Sequence, residues 1–139
     1  MDEQLIYYSK GYKYQLKRTH VLETNILPSK GIFTEYINLE RDGKLTIKQG
    51  YAWDGASGPT VDTKSSMAGS LVHDALYQLM RMGLLNLGWR YASDKLLRST
   101  CVRCKMFKTR AWLWYKAVRA AARSSALPEN KRKIYTAPS

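Results

Sequence analysis

The chain of 139 residues has 45% hydrophobic and 24% charged side chains, a balance that is typical of one folded globular domain and excludes wholesale disorder. Arg81 interrupts the most apolar stretch and Arg90 follows it, so no uncharged run approaches the roughly 20 residues of a membrane-spanning helix. The N-terminus is acidic and lacks the pattern of a secretory signal. We therefore expect no membrane insertion and a cytoplasmic location.

Positive charge is concentrated in the second half of the chain, within a formal net charge of +12. Residues 1–62 hold eight basic and eight acidic side chains, whereas residues 63–139 hold fifteen basic and three acidic ones. Residues 95–123 contain nine basic side chains and no acidic one. Such a segment attracts nucleic acid, an acidic protein surface or anionic lipid. The alternative is a solvated helical face that keeps the protein soluble.

The first fifty residues have the composition of short strands. Their Tyr, Ile, Val and Thr residues fall in four segments separated by turn residues, namely Leu5–Tyr8, Tyr12–Lys17, His20–Ile26 and Ile32–Glu40. The strongest local signal is a hairpin over Tyr36–Lys48 with Asp42-Gly43 at its turn. Its buried face is predicted to consist of Ile37, Leu39, Leu45 and Ile47.

The second half has helical periodicity after a loop rich in Gly, Ser and Pro. Three helices are predicted, over Lys64–Met82, Gly88–Lys105 and Thr109–Ser124. The first has an apolar stripe of Met67, Leu71, Ala75, Leu76 and Leu79. The chain is thus predicted to be one α+β domain, in which a small N-terminal antiparallel sheet precedes a three-helix C-terminal half. Its parts are a β-rich region (1–50), a polar loop (51–62), a helical region (63–127) and a C-terminal tail (128–139).

Four polar motifs follow one another along the chain: WDGASGP at 53–59, LVHDALY at 71–77, ASD at 92–94 and YKAVR at 115–119. This ordered set resembles the domain-of-unknown-function family 1353, small proteins of tailed bacteriophages and prophages. The resemblance implies a phage origin but no established reaction. The polar positions that it marks are Asp54, Ser57, His73, Asp74, Tyr77, Asp94, Tyr115 and Arg119.

The same residues can be interpreted chemically. On a helix, His73, Tyr77 and Arg81 share one face because they are four residues apart. One imidazole among several carboxylates suits a divalent metal ion or general acid–base catalysis. The candidate metal ligands are Asp54, His73, Asp74 and Asp94.

A metal-dependent hydrolase would use these side chains to activate water. In that hypothesis Tyr77 orients the substrate and Arg119 stabilises the developing negative charge. The candidate catalytic residues are His73, Asp74, Asp94, Tyr77 and Arg119. The alternative is that the polar cluster only fixes the positions of the loop and the helices.

The third predicted helix carries a basic stripe. Lys108, Trp112, Lys116, Arg119 and Arg123 lie within a sector of about 80°. Such a stripe can follow a phosphate backbone while Trp112 stacks on an unpaired base. Alternatively, Arg119 turns inward and pairs with an aspartate. The candidate binding residues for a partner or nucleic acid are Lys108, Trp112, Lys116 and Arg123.

Cys101 and Cys104 have the spacing of redox and zinc motifs, but no second Cys or His pair follows them. We therefore expect two thiols on a helix surface.

Three functions are consistent with these patterns. The first is the phage-encoded hydrolase. The second is a non-catalytic virion or assembly component that docks through the basic helices and the 128–139 tail. The third is a factor in the infected host cytoplasm that binds a host protein or nucleic acid. The last two imply an acidic partner.

Overall fold

The computed structural model describes residues 8–9, 14–53 and 64–121. Within these residues, antiparallel sheets in the N-terminal half are followed by three helices, which confirms the predicted α+β class. The strands are β1 (Tyr8–Ser9), β2 (Tyr14–Leu16), β3 (His20–Glu23), β4 (Ile32–Phe33), β5 (Ile37–Leu39), β6 (Lys44–Ile47) and β7 (Ala52–Trp53). The helices are α1 (Lys64–Arg81), α2 (Arg90–Arg103) and α3 (Lys108–Ala121).

The described strands form a three-stranded sheet in the order β1-β2-β7 and a four-stranded sheet in the order β3-β6-β5-β4. The predicted hairpin is the β5–β6 pair. Gly43 adopts a φ of 94°, and a Cβ there would lie 2.1 Å from the carbonyl oxygen of Thr24, so only glycine fits this turn. The predicted inward residues Ile37, Leu39, Leu45 and Ile47 are all fully buried.

The prediction of one strand over Ile32–Glu40 is wrong, because the chain turns between β4 and β5. Thr34 causes the break with its side chain. Its hydroxyl donates to the carbonyl oxygen of Ile37 at 2.7 Å and accepts from the Ile37 amide at 2.9 Å. A threonine that bonds to the backbone three residues ahead replaces the extended conformation with a turn.

Helix α1 is the centre of the structure. Its predicted apolar stripe is buried, as is most of its opposite face, including His73 and Tyr77. A helix buried nearly all round must be covered on several sides. Here the sheet residues and the start of α2 cover it, and they form one hydrophobic cluster with it.

Helix α2 approaches α1 closely at Gly69. A Cβ at this position would lie 2.5 Å from the Sγ atom of Cys101, so the two helices meet at a distance that a larger residue would not permit. The expectation of two surface thiols is therefore wrong for Cys101, which is fully buried. Burial, followed by the nearby Cys104, raises the pKa of the Cys101 thiol to about 12.

Helix α3 packs mainly on α2 through a second hydrophobic cluster that includes Leu97, Met106 and Trp114. The observed helix bounds agree with the predicted ones to within a few residues. A short 3-10 helix at Leu87–Trp89 delays the start of α2, and Gly83, with a φ of 76°, follows the end of α1. No helix in the described part of the chain is long and apolar enough to span a bilayer.

Candidate functional site

The carboxylate of Asp94, on α2, is fully buried and is hydrogen-bonded by side chains from the other two helices. Its Oδ1 atom lies 2.7 Å from Nε2 of His73 and accepts a hydrogen bond from the Tyr77 hydroxyl at 2.6 Å. Its Oδ2 atom accepts from the Arg119 guanidinium at 2.9 Å. Both oxygens of this carboxylate are therefore occupied. We call Asp94, His73, Tyr77, Arg119 and Arg90 (described below) the Asp94 network.

The electrostatics of the network favour an ionised Asp94. Burial alone would raise its pKa, but hydrogen bonds from His73, Tyr77 and Arg119 outweigh burial and lower the pKa below its ordinary value. A carboxylate can only accept, so Nε2 of His73 carries the proton in this contact. The pKa of Tyr77 is raised far above its ordinary value, first by burial and then by the hydrogen bond to Asp94.

Arg90 adds a second polar connection between α2 and α3. Its Nε atom donates to the Tyr77 hydroxyl at 3.1 Å. One terminal nitrogen donates to the carbonyl oxygens of Val118 at 3.3 Å and Arg119 at 2.7 Å. These carbonyls lie in the last described turn of α3, where a cation is favoured by the helix dipole. Thus Arg90 of α2 donates hydrogen bonds to the α3 backbone, while Arg119 of α3 donates one to Asp94 on α2.

The structure brings together four of the five predicted catalytic residues, namely His73, Asp94, Tyr77 and Arg119. Asp74 is half-buried, and the three contacts to Asp94 described above do not involve it. Asp54 and Ser57 lie outside the described residues. Over residues 8–9, 14–53 and 64–121, no group of three or more His, Cys, Asp or Glu side chains is arranged to hold a metal ion.

A second feature lies on the outer side of α2 and is called here the cationic groove. It has a volume of about 560 Å³ and is lined by Lys95, Arg98, Ser99, Val102, Arg103 and Lys108. Four of these six residues are cations and none is acidic. Lys95, Ser99 and Arg103 also line a neighbouring depression beside the loop at Glu23–Asn25, so the surface continues across α2.

Two exposed aromatic rings, one on α2 and one on α3, lie beside cations of these helices. Tyr91 is 52% exposed, and the side-chain cations of Lys95 and Arg119 lie 5.2 Å and 5.1 Å from its ring centre. Trp112 is 43% exposed, with the Lys116 ammonium 5.8 Å from its ring centre. These distances are those of cation–π contacts.

The structure separates the predicted basic stripe of α3 into two groups. Lys108, Trp112 and Lys116 are exposed, whereas Arg119 turns inward to Asp94. Arg123 lies outside the described residues. The inward orientation of Arg119 was one of the two alternatives left open by the sequence.

Two sets of functional residues were not predicted from the sequence. The basic face of α2 carries a detectable signal, because Tyr91, Lys95 and Arg98 fall within a sector of about 60°. The same helical spacing that predicts the α3 stripe also marks this face. Arg90 carries no comparable signal, since its partners are backbone carbonyls of a helix 28 residues further along the chain.

Comparison of the chain with protein-family models, with characterised proteins and with solved structures finds no match. The resemblance to the phage family therefore stays a prediction.

Proposed function

We propose that this protein binds nucleic acid through the cationic groove on α2. The observation that carries the proposal is the lining of the groove, in which four cations face one depression without an acidic side chain. In the sequence, no acidic residue occurs anywhere from position 95 to position 123. Neighbouring cations in one groove create a positive potential that no carboxylate of the lining offsets.

A phosphate backbone fits this surface better than other anions do. Lys95 and Arg103 are eight residues apart on α2, which corresponds to roughly 12 Å along the helix axis. Cations spaced over that length suit a ligand with regularly repeated charges. The exposed rings of Tyr91 and Trp112 add flat surfaces of the kind that bind bases.

In this proposal the Asp94 network is a positioning device. It holds α1, α2 and α3 together from the inside through Arg119 and Arg90. The outer face of α2 therefore keeps its cations in a fixed arrangement relative to Lys108 on α3. Pre-organised cations lose less side-chain freedom when they bind a ligand.

The test uses two triple variants that remove the same side-chain types. One neutralises Lys95, Arg103 and Lys108 to glutamine. The control neutralises Lys17, Lys30 and Arg41, which are equally exposed but belong to the sheet half. Binding of a fluorescent single-stranded oligonucleotide is measured by anisotropy between about 50 and 200 mM salt.

We expect the groove variant to bind about tenfold more weakly at the low-salt end and to lower the slope of log affinity against log salt by about 2. The control should keep the slope of the wild-type protein. Equal losses in both variants would mean that net charge alone is sensed, and no binding by the wild-type protein would reject the proposal.

A second candidate function, hydrolysis, is favoured by the short contact between His73 and Asp94. Because Nε2 donates to the carboxylate, Nδ1 is the ring nitrogen left to accept a proton, and the aspartate fixes the orientation of the ring. Arg119 is 31% exposed and supplies positive charge beside the pair. The described residues do not provide a metal site. A metal-dependent form would need a ligand from outside them, and Asp54 is the one that the sequence analysis predicts.

Hydrolysis is tested with bis(p-nitrophenyl) phosphate and a peptide amide as probes, with and without a chelator. Activity that is lost in His73→Gln, while the variant keeps its cooperative unfolding, would support this candidate. Loss on chelation would favour the metal-dependent form. Equal rates for the wild-type and His73→Gln proteins would reject it.

The biological setting follows from the family resemblance and is part of the same proposal. We place the protein in the cytoplasm of an infected host, where phage or host nucleic acid is the acidic partner. A virion or assembly role is the alternative setting. Mass spectrometry of purified phage particles separates the two, because a cytoplasmic factor would be absent from the particles.

A further inference from the structure

The turn between α2 and α3 holds its residues in a fixed conformation. Lys105 has a φ of 76°, and it is the one non-glycine residue with positive φ in the described part of the chain. The amides of Lys105 and Met106 donate to the carbonyls of Val102 and Cys101, each at 3.0 Å. Met106 is buried in the second hydrophobic cluster and anchors the turn from below. A left-handed lysine persists only where its surroundings enforce it.

This fixed turn presents Phe107 to solvent. The ring is 84% exposed, more than any other large hydrophobic side chain among the described residues. The backbone of Phe107 is held at the start of α3, since its carbonyl oxygen accepts a hydrogen bond from the Ala111 amide at 3.0 Å. Its exposure therefore follows from the geometry of the turn and the start of α3.

The surroundings of Phe107 are cationic. Lys105 and Lys108 flank it in the chain and are both exposed, and Lys108 also lines the cationic groove. Phe107 is thus the neighbour in the chain of a residue that lines the surface we propose for phosphate binding. A nucleic-acid strand that binds Lys108 would lie next to the residue that carries this exposed ring.

We infer that Phe107 stacks on an unpaired base, so that the ligand of the cationic groove is a single strand. This inference rests on the nucleic-acid function proposed above. Stacking on an aromatic ring tolerates any base, because every base has a flat face. A duplex offers no such face, since its bases are stacked inside.

An exposed phenylalanine between lysines also fits the interface of an anionic membrane. The continuity of Phe107 with a groove of four cations favours the strand, because a flat bilayer surface would not fill a depression. Binding to vesicles is therefore included as an arm of the test.

The test compares Phe107→Leu, Phe107→Tyr and Phe33→Leu. Leucine keeps an apolar side chain but removes the flat ring, whereas tyrosine retains the ring. Phe33, the other phenylalanine of the chain, is 67% exposed on β4 and serves as the matched control. Affinity is measured for a single-stranded oligonucleotide, for its duplex and for vesicles that contain phosphatidylserine.

We expect Phe107→Leu to weaken single-strand binding about tenfold, with duplex binding and the salt slope unchanged. Phe107→Tyr should restore affinity to within about twofold, and Phe33→Leu should match the wild-type protein. Unchanged single-strand binding in Phe107→Leu would overturn the inference while leaving the nucleic-acid function intact, provided that the groove triple variant still loses affinity. If the wild-type protein binds neither strand form, both proposals fail. If Phe107→Leu loses affinity only for vesicles, the ring inserts into a membrane and does not stack on a base, which would overturn the inference.

Discussion

The Asp94 network is buried between the helices and the cationic groove lies on the exposed surface of α2, and the two regions differ in how their charges are compensated. Inside, one buried carboxylate is bound by three donors from two other helices. Outside, four cations share a groove that contains no carboxylate. The first arrangement satisfies its charge within the chain, whereas the second leaves its charge available to a ligand.

Two arginines make the comparison concrete. Arg119 directs its guanidinium to Asp94, while Arg103 is exposed on the surface of α2. Both contribute equally to the net charge, so composition cannot tell them apart. The lesson is that binding capacity depends on uncompensated charge rather than on total charge.

The largest expected effect is that of Asp94→Ala. This substitution removes the carboxylate that accepts hydrogen bonds from His73, Tyr77 and Arg119, so these three donors lose their shared acceptor. Removing one partner of a buried ion pair costs about 3–5 kcal/mol, so we expect a loss of this size in the free energy of unfolding. Urea denaturation followed by circular dichroism measures it.

Asp94→Asn is the matched control for this substitution. Asparagine keeps the volume but offers one acceptor oxygen and adds two donor hydrogens. We expect a smaller loss of stability than for alanine. If Asp94→Ala unfolds at the wild-type denaturant concentration, the network does not hold the helices together.

The next expected effect separates the two arginines. Arg119→Gln should reduce the free energy of unfolding by about 1–3 kcal/mol, because it removes a hydrogen bond to a buried charged group. Its effect on the salt slope of oligonucleotide binding should be negligible. Arg103→Gln should do the reverse, lowering the slope and sparing stability. If the two variants behaved alike, the distinction between paired and available charge would not hold.

A smaller effect is expected in the pH dependence of stability. In the folded protein the pKa of Asp94 lies below its ordinary value of 3.8, so the unfolded chain takes up the proton first as pH falls. The stability that Asp94 supplies is therefore complete above about pH 4 and is lost below it. Tyr77 acts at the other limit. Its pKa is raised above the ordinary 10.0, and its contribution is lost as pH rises beyond 10.

Urea midpoints across this pH range measure both limits. The difference between the wild-type and Asp94→Asn curves of urea midpoint against pH isolates the contribution of Asp94 at acid pH. The difference between the wild-type and Tyr77→Phe curves isolates the contribution of Tyr77 at alkaline pH. Parallel curves for wild-type and Asp94→Asn proteins below pH 4 would contradict the assignment.

The smallest expected effect on stability is that of the groove triple variant at Lys95, Arg103 and Lys108. Exposed cations without a carboxylate partner stabilise little, and neutralising them relieves repulsion between like charges. We expect a thermal midpoint equal to or slightly above that of the wild-type protein. A fall as large as that of Arg119→Gln would mean that these cations are structural.

Much of the fold could be predicted from the sequence because its signals are local. The Asp42-Gly43 hairpin and the stripe of α1 depend on neighbours a few residues away, and both are confirmed. The break at Thr34 was missed because a side-chain bond to the backbone competes with strand propensity. The two-sided burial of α1 was missed because it depends on where α2 lies.

The candidate site was harder to predict for the same reason. The i, i+4 spacing placed His73 and Tyr77 on one face, and the structure confirms that Asp94 joins them. Nothing local indicates the partner of Arg90, and the sequence left the direction of Arg119 open. The α2 face was not predicted as a binding surface, because α2 is less clearly amphipathic than α3.

The way α3 is attached has a consequence for motion. Its apolar contacts belong to a cluster separate from the main core, and its polar ties to α2 include those of Arg90, Arg119 and Tyr115, whose ring lies 5.7 Å from the Arg98 cation. We therefore expect α3 to detach as one unit in a partial unfolding event, ahead of α1 and the sheets. Its amides would then exchange with deuterated solvent sooner than those of α1. The hydrogen bond from Arg119 to Asp94 would limit how often α3 detaches.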